Sequence, residues 1–204
     1  NDKGEVVNYL AMIIDITDSK VEQKKLELLA HYDPLTGLPN RALFMDRFNQ
    51  AVAHSKRSQR PLAICFIDLD SFKPINDNFG HDVGDKVLIE VAKRIAVCVR
   101  EEDTVSRQGG DEFALLLGSF ESIGQCEQVM ERMLKTLAEP YEVDGQAHCI
   151  TASCGVALYP SDHNDFEGLM RQADQAMYFS KNKGKNQFSF FDSSTLPPPP
   201  PPIM

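Results

Sequence analysis

The sequence predicts an α+β domain whose core follows a β-α-β-β-α-β order, the ferredoxin-like plan. Three observations carry this prediction. Residues 62–69, LAICFIDL, form a short apolar run rich in β-formers, which is typical of a buried strand. Residues 82–100 repeat apolar side chains at steps of three and four, which gives a helix one apolar face. Residues 104–117 contain two strand-like segments around a Gly-Gly pair, which favours a hairpin.

The remaining elements are additions to this core. An Asp-Gly pair predicts the turn of a second hairpin, and further apolar stripes at helical spacing predict more helices. The added segments are a strand over 5–16, a connector helix over 19–32, helices over 41–56, 123–137 and from 169 to near 184, a hairpin over 141–158 and a last strand over 186–191.

The composition is that of a globular protein that does not hold nucleic acid by charge. The 204 residues are 42% hydrophobic and the net charge is -9, so the basic surface that non-specific phosphate binding requires is not expected. No apolar run approaches the roughly 18 residues of a membrane span, and no signal peptide opens the chain. The five cysteines form no CxxC pair, and four of them lie in apolar segments, which indicates small core residues in a reducing compartment such as the cytoplasm.

Four carboxylates are expected to meet at one end of the sheet. Asp68 and Asp70 end the first core strand, and Asp111 and Glu112 begin the third. These strands are antiparallel neighbours in a ferredoxin-like sheet, so the end of one lies beside the start of the other. Two interpretations stay open: acidic strand ends that meet solvent, or a cluster whose repulsion is relieved by Mg²⁺. The convergence of both pairs beside a glycine turn favours the metal site.

The segment after the first strand carries groups that can recognise a guanine nucleotide. Lys73 can meet a phosphate, and Asn76 and Asp85 flank a glycine-containing turn. An aspartate accepts from N1–H and N2–H₂ of guanine, donors that adenine lacks, so it would select guanine. Asn and Asp also cap loops, and spacing alone leaves that interpretation open.

Three lysines, Lys181, Lys183 and Lys185, stand at the end of the last long helix. They either complement the negative end of the helix dipole or neutralise a triphosphate, and their spacing does not decide between the two. Gly109 and Gly110 have no side chains, so a nucleotide can lie against their backbone.

FIDLDSFKPINDNFGHDVGD at 66–85 and RQGGDEF at 107–113 together resemble the GGDEF domain of diguanylate cyclases. The resemblance covers about residues 33–192 and rests on several motifs in the family's order. It implies condensation of two GTP into cyclic di-GMP with release of two pyrophosphates. It also implies a homodimer, because each domain binds one GTP, and Mg²⁺ as cofactor, with Mn²⁺ able to take its place.

The resemblance assigns roles to individual residues. Asp68, Asp111 and the Leu69 carbonyl would hold Mg²⁺, and Glu112 would be a further ligand or would help to deprotonate the attacking hydroxyl. Asp111 and Glu112 are thus the implied catalytic residues. Relatives often carry arginine at the position of Lys185. Lysine there would give a single point contact with phosphate instead of the two-pronged contact of a guanidinium. The implied GTP contacts are Lys73, Asn76, Asp85, Gly109, Gly110, Lys181 and Lys185.

REED, residues 100–103, matches the family's RxxD motif, which binds the cyclic di-GMP product as an inhibitor. Arg100 would contact phosphate and guanine edges, and Asp103 would accept hydrogen bonds from guanine. An ordinary charged helix end is the alternative. A strand of about five residues separates the motif from Gly109 by roughly 16 Å. Inhibition at this site would therefore be allosteric, or would lock the domains in a non-productive arrangement.

The resemblance also divides the chain. Residues 1–18 resemble the last strand of a PAS sensor domain, residues 19–32 form a linker helix, and 33–192 form the GGDEF domain. The prolines of the tail 193–204 favour polyproline II over packing. An upstream sensor is therefore an expected partner, and relatives with an EAL phosphodiesterase domain carry it after this point.

Three functions are compatible with parts of this motif set. An active diguanylate cyclase is favoured because all the carboxylates and lysines of the motifs are present. A regulatory module would bind GTP or cyclic di-GMP without turnover, and its members usually lose catalytic carboxylates. An adenylate-type cyclase would need adenine selectivity, against which Asp85 argues.

Overall fold

The computed structural model describes residues 15–161 and 165–193. The strand predicted over 5–16 and the proline-rich tail therefore lie almost wholly outside the described residues. The elements in chain order are α1 (Thr17–His31), α2 (Arg41–Ser58), β1 (Leu62–Asp70), α3 (Lys73–Phe79), α4 (His81–Val97), β2 (Thr104–Gly109), β3 (Glu112–Leu117), α5 (Ile123–Leu137), β4 (Tyr141–Val143), β5 (Gln146–His148), β6 (Thr151–Tyr159), α6 (Phe166–Asn182) and β7 (Phe188–Phe190).

The main sheet, within the described ranges, has five strands in the order β2-β3-β1-β6-β7. Strand β1 lies between β3 and β6 and is antiparallel to both, while β7 runs parallel to β6 at the edge. Helix α4 connects β1 to β2, and α5 precedes β6. The predicted β-α-β-β-α-β core is therefore confirmed, with β1 and β3 as antiparallel neighbours.

The central strand β1 divides the core into two layers. Ile67 and Leu69 pack in the apolar cluster that includes α4 and α5. Ile64 and Phe66 pack in the cluster that includes α2 and α6. Successive side chains of a strand point to opposite faces, so Asp68 projects toward the α6 side.

The helix predicted over 82–100 differs in the structure. Helix α3 occupies 73–79, a segment for which the sequence predicted no helix, and α4 spans His81–Val97. Pro74 lies in the first turn of α3, where its missing N–H costs no hydrogen bond. Gly80, with a φ of 85°, separates the two helices because few other residues adopt that backbone conformation.

The glycine turn is displaced by one residue from the prediction. Strand β2 extends to Gly109, which pairs with Glu112, so the two loop residues are Gly110 and Asp111. The register shifts between Arg107 and Gly109, as in a β-bulge. The sequence-based turn at Gly109-Gly110 was therefore wrong, and Asp111 lies at the tip of the hairpin.

The predicted second hairpin is confirmed only in its first half. Strands β4 and β5 pair around Asp144-Gly145, but β6 is a separate strand of the main sheet. The connector helix predicted over 19–32 spans Thr17–His31. Across residues 15–161 and 165–193, none of the helices has the length and hydropathy that a membrane span needs.

Candidate nucleotide and metal site

The carboxylates at the ends of β1 and β3 meet as antiparallel pairing dictates. Asp68 is the direct register partner of Glu112. The N–H of Leu69 donates to the carbonyl oxygen of Asp111 at 3.3 Å, which holds the hairpin tip beside the end of β1. Three of the four acids predicted at this edge therefore lie together, although they come from two distant segments.

Two of these acids, Glu112 and Asp68, have raised pKa values. Burial raises the pKa of Glu112, and the charges of Asp68, Asp111 and Asp174 raise it further, while Lys181 lowers it. Burial also raises the pKa of Asp68; Lys181 opposes that rise, and the charge of Asp111 adds to it. A cation among these oxygens would therefore relieve a repulsion that the fold imposes.

Asp70, the fourth acid predicted in this cluster, is a structural anchor. Its carboxylate accepts hydrogen bonds from the hydroxyls of Thr151 and Ser153, each at 2.7 Å. The N–H of Asn186 donates to it at 3.1 Å. Asp70 does act on the cluster, because its charge raises the pKa of Asp68. Its own oxygens, however, are bound by two hydroxyls of β6 and tie β1 to β6.

Lys181 reaches the carboxylate cluster from the last turn of α6. Its Nζ lies 2.7 Å from Oδ1 of Asp68. Helix α6 lies close to the sheet because Gly155 of β6 has no side chain, and a Cβ there would overlap the backbone of Ala173 and Met177. The sequence predicted Lys181 as a phosphate contact, and the structure places it as the counter-ion of Asp68.

Asp174 is a residue of this site that the sequence analysis missed. It lies seven residues before Lys181 on α6, and its charge raises the pKa of Glu112. Burial raises the pKa of Asp174 itself, while Lys181 lowers it. A spacing of seven residues places two side chains on one face of a helix, which is the signal that could have identified it.

The glycine turn leaves open backbone beside the acids. Gly109 and Gly110 are both exposed, and no atom lies within 4 Å of where a Cβ would stand on either residue. The guanidinium of Arg107 holds the turn, because its Nε and Nη2 donate to the carbonyl oxygen of Gly110 at 3.0 and 2.7 Å. A ligand can therefore approach this backbone closely without displacing a side chain.

The predicted base-reading residues lie on two adjoining helices. Asn76 belongs to α3 and Asp85 to α4, and the N–H of Gly80 between them donates to the carbonyl oxygen of Asn76 at 2.9 Å. The side chain of Asn76 lies against Gly84, because a Cβ there would overlap its Oδ1. Lys73 and Asp85 are both exposed. The unpredicted helix α3 thus sets the position of Asn76 relative to α4.

The three lysines after α6 have different surroundings. Nζ of Lys185 lies 3.3 Å from Oγ of Ser71, directly after β1. Nζ of Lys183 lies over the ring of Phe179, 4.6 Å from its centroid. Lys181 and Lys185 therefore lie beside the carboxylate edge, the end of the sheet where Asp68, Asp111 and Glu112 meet. Lys183 instead packs on its own helix.

The residues of the RxxD motif lie at the opposite end of β2 from the glycine turn. The carboxylate of Asp103 accepts from the N–H of Arg100 and from the N–H of Gly118, each at 3.0 Å. Burial raises the pKa of Asp103, against the effect of these two hydrogen bonds. Arg100 is exposed and pairs with Glu102 at 3.6 Å. Asp103 therefore has a local role in fixing the turn that the sequence analysis did not identify.

The donor atoms at the carboxylate edge fit a hard divalent cation. In the part of the chain that the structure describes, no three Asp, Glu, His or Cys side chains are grouped as a ready-made metal cage. Mg²⁺ does not require one, since it is usually bound by one or two carboxylates together with substrate phosphates. The carboxylates of Asp68, Asp111 and Glu112 and the carbonyl of Leu69 supply oxygen donors of the kind it prefers.

A five-stranded sheet with acids at the ends of β1 and β3 defines the class, an α+β domain with a candidate metal site, and comparison with known proteins identifies the family. Residues 30–187 match the family model described as "Diguanylate cyclase, GGDEF domain". The chain therefore belongs to the GGDEF family of diguanylate cyclases.

Three of the curated proteins that are similar to this chain come from Pseudomonas aeruginosa. The bifunctional diguanylate cyclase/cyclic di-GMP phosphodiesterase MucR is 41% identical over 91% of this chain and 29% of its own length. The diguanylate cyclase TpbB is 36% identical over 89% of this chain and 42% of its own length. The cyclic di-GMP phosphodiesterase NbdA is 39% identical over 93% of this chain and 24% of its own length. The chain thus spans less than half the length of each.

Solved structures of GGDEF domains share this fold. The isolated GGDEF domain of TpbB from Pseudomonas aeruginosa superposes with a TM-score of 0.77 at 37% identity, covering 79% of this chain and 95% of that domain. The coiled coil and GGDEF domain of DgcB from Caulobacter crescentus, solved with cyclic di-GMP, gives a TM-score of 0.75 at 25% identity, covering 86% of this chain and 93% of that one.

Proposed function

We propose that this domain is a diguanylate cyclase that condenses two GTP into cyclic di-GMP and releases two pyrophosphates. The observation that carries the proposal is the meeting of Asp68, Glu112 and Lys181 beside an open glycine turn, in a chain of this family. The relatives TpbB and MucR, both diguanylate cyclases by name, support it.

GTP would lie along the carboxylate edge with its base toward the junction of α3 and α4. An aspartate and an asparagine there can pair with the guanine edge, and adenine offers no donors to the aspartate. Three ammonium groups, two of them exposed and that of Lys181 partly buried, would bind phosphates. The proposed contacts are Asn76 and Asp85 for guanine, Lys73, Lys181 and Lys185 for phosphates, and Gly109 and Gly110 for close backbone approach.

In each half-reaction the 3′-hydroxyl oxygen of one GTP bonds to the α-phosphorus of the other. The bond from that phosphorus to the bridging oxygen breaks, and pyrophosphate leaves. Burial and neighbouring charges raise the pKa of Glu112, so it accepts a proton more readily than an ordinary glutamate, or it serves as a further metal ligand. Mg²⁺ or Mn²⁺, held by Asp68, Asp111 and the Leu69 carbonyl, would neutralise charge that develops at the phosphates.

Catalysis would require a homodimer, because the reaction joins two nucleotides and one domain presents one such edge. Two GTP-loaded domains would face each other, and α1 would connect each to an upstream sensor domain such as PAS. A downstream EAL domain is proposed for the full protein, since an "EAL/GGDEF domain protein" from M. capsulatus is 44% identical and its structure covers 76% of this chain. GTP as substrate and free cysteines in the described residues support a cytoplasmic location.

Product inhibition at the RxxD motif is part of the proposal. Strand β2 separates Arg100 from the glycine turn, so cyclic di-GMP bound there would not overlap GTP at Asp111. The GGDEF domain of DgcB, solved with cyclic di-GMP, supports binding of this product by domains of this fold. Inhibition would then act on the arrangement of the two domains.

A regulatory binding module is the second candidate. NbdA is a cyclic di-GMP phosphodiesterase by name, and its matching segment is 39% identical to this chain. A domain of this kind would bind GTP or cyclic di-GMP and control a neighbouring domain without turnover.

The deciding experiment is incubation of the protein with GTP and Mg²⁺, followed by chromatographic separation of nucleotides. Ultracentrifugation establishes that the sample is dimeric, and ATP in a parallel reaction tests guanine selectivity. We expect cyclic di-GMP from GTP, none from Asp111→Asn, and no turnover of ATP. Tight GTP binding by calorimetry without product from a dimeric sample would identify the regulatory module instead.

A further inference from the structure

The ion pair between Lys181 and Asp68 is the starting point of this inference. The two charged atoms are 2.7 Å apart, and the side chains are 31% and 14% exposed, so water screens the pair only in part. Asp68 is also one of the carboxylates that fit a divalent cation. One oxygen of that carboxylate is therefore already engaged by an ammonium group of the same chain.

The surroundings of Asp68 explain why a cation is held there. The charge of Asp111 raises the pKa of Asp68, and Glu112 lies directly opposite on β3. The positive charge of Lys181 reduces this repulsion, as a bound metal ion would. Lysine is suited to such a role because its ammonium is a compact charge on a flexible stem of four carbons.

The same ammonium group is proposed above to bind GTP phosphates, so the phosphates and Asp68 would compete for its single positive charge. A triphosphate offers more negative charge than one carboxylate and would draw Lys181 away from Asp68. Asp68 would then present both oxygens to a cation that arrives with the nucleotide. The two binding events at this edge are thus linked through one side chain.

We propose that Lys181 is an internal competitor of the divalent metal for Asp68, so that metal binds weakly until nucleotide removes the lysine. This inference rests on the proposed function only for the identity of the nucleotide. The competition itself is a property of the metal site without nucleotide, and it can be measured there.

The test is the affinity of nucleotide-free protein for Mn²⁺, measured by calorimetry or by the electron paramagnetic resonance of free Mn²⁺. Lys181→Met is expected to bind Mn²⁺ about 10-fold more tightly than the wild type, which corresponds to roughly 1.4 kcal/mol of binding free energy. Asp68→Asn in the Lys181→Met background is expected to remove that gain, which places the ion at this carboxylate.

Two variants separate competition from other effects. Lys183→Met removes the same charge two residues further on, where Nζ lies over the Phe179 ring, and is expected to change Mn²⁺ affinity less than about twofold. Lys181→Arg keeps a cation beside Asp68 and is expected to bind Mn²⁺ as weakly as the wild type. Thermal unfolding confirms that each variant is folded.

The outcomes distinguish this inference from the proposed function. Equal Mn²⁺ affinity in the wild type and Lys181→Met, or equal gains in Lys181→Met and Lys183→Met, would overturn the competition. A gain confined to Lys181→Met in a protein that makes no cyclic di-GMP would support the competition and contradict the cyclase proposal alone.

Discussion

Arg107 and Asp33 form a two-pronged ion pair between the glycine hairpin and the loop that follows α1. Nη1 of Arg107 donates to Oδ1 and Oδ2 of Asp33 at 3.0 and 3.1 Å, while its other nitrogens hold the carbonyl of Gly110. Asp33 also accepts from the N–H and hydroxyl of Thr36 at 2.8 and 2.6 Å. One guanidinium therefore ties the end of the linker helix to the turn that carries Asp111.

The first prediction concerns the stability that this pair supplies. The side chains are 12% and 17% exposed, so Arg107→Met leaves a carboxylate largely buried without its cation and should cost about 3 kcal/mol. Arg41→Met is the matched control, because the Arg41–Glu167 pair is 53% and 67% exposed and should contribute less than about 1 kcal/mol. Urea unfolding at pH 7 measures both, and equal losses would contradict the assignment.

The pH dependence of this effect has a definite sign. Burial raises the pKa of Asp33, but the Thr36 hydrogen bonds and Arg107 outweigh it and hold the pKa below its ordinary value of 3.8. The stability from this carboxylate is therefore present above pH 3.8 and is lost as pH falls through the lower, folded-state pKa. The difference between wild type and Arg107→Met should shrink on acidification over that range.

The second prediction separates two acids on one strand. Asp70→Asn replaces a carboxylate that accepts three hydrogen bonds, and it should destabilise the fold by about 1–3 kcal/mol. In a domain of this size each kcal/mol lowers the melting temperature by about 2–4 °C. Asp68→Asn should change the melting temperature little but weaken Mn²⁺ binding. Thermal unfolding and Mn²⁺ calorimetry on both variants test this difference. A large stability loss in Asp68→Asn together with lost Mn²⁺ binding in Asp70→Asn would contradict the assignment.

The third prediction uses the raised pKa of Glu112. Burial and the charges of Asp68 and Asp111 raise that pKa above its ordinary value of 4.5. The stability that goes with the protonated form is present below the unfolded-state pKa and is lost as pH rises through the folded-state pKa. Glu112→Gln imitates the protonated form, so without metal it should have a higher melting temperature than the wild type at pH 7. The gain in the free energy of unfolding should be less than about 1 kcal/mol.

The control for this prediction is Glu142→Gln, the exposed position of strand β4, which should leave the melting temperature unchanged both at pH 7 and well below pH 4.5. The advantage of Glu112→Gln should vanish once pH is well below 4.5, where both proteins carry an uncharged side chain. A variant that melts lower than the wild type at pH 7 in EDTA would show that Glu112 stabilises the fold as a charged group.

The fold and the acid cluster were predictable because both follow from local patterns combined with one topological rule. The apolar runs located β1 and β3, and antiparallel pairing then placed Asp68 beside Glu112. The role of Asp70 was not predictable in this way, because its partners Thr151 and Ser153 lie on a strand whose register the sequence does not state. Two aspartates on the same face of one strand look alike in sequence.

Long-range side-chain contacts were also beyond the sequence. Arg107 and Asp33 are 74 positions apart, and no periodicity connects a loop aspartate to a strand arginine. The exact tip of the glycine hairpin was missed because a bulge at Gln108 moves the turn by one residue. Helix α3 was missed because seven residues carry too little periodicity to distinguish a short helix from a loop.

The last prediction tests how α3 and α4 set the base-reading residues. Ala at an ordinary helical glycine gains up to about 1 kcal/mol in stability, and Gly124→Ala on α5 should follow this rule since its Cβ would meet only side-chain atoms at 3.8 and 4.0 Å. At Gly84 a Cβ would overlap Oδ1 of Asn76, whose side chain must then rotate away. Because a side chain can move where backbone cannot, the fold should persist in Gly84→Ala.

The cost of Gly84→Ala should appear in nucleotide binding. Loss of the Asn76 contact with the guanine edge removes about 1–1.5 kcal/mol, which corresponds to roughly 10-fold weaker binding of a non-hydrolysable GTP analogue in Mg²⁺. Calorimetry on Gly84→Ala, Gly124→Ala and wild type measures this. Unchanged affinity in Gly84→Ala would remove Asn76 from the guanine site, whereas equal weakening in Gly124→Ala would show that the loss comes from the fold and not from the position of Asn76.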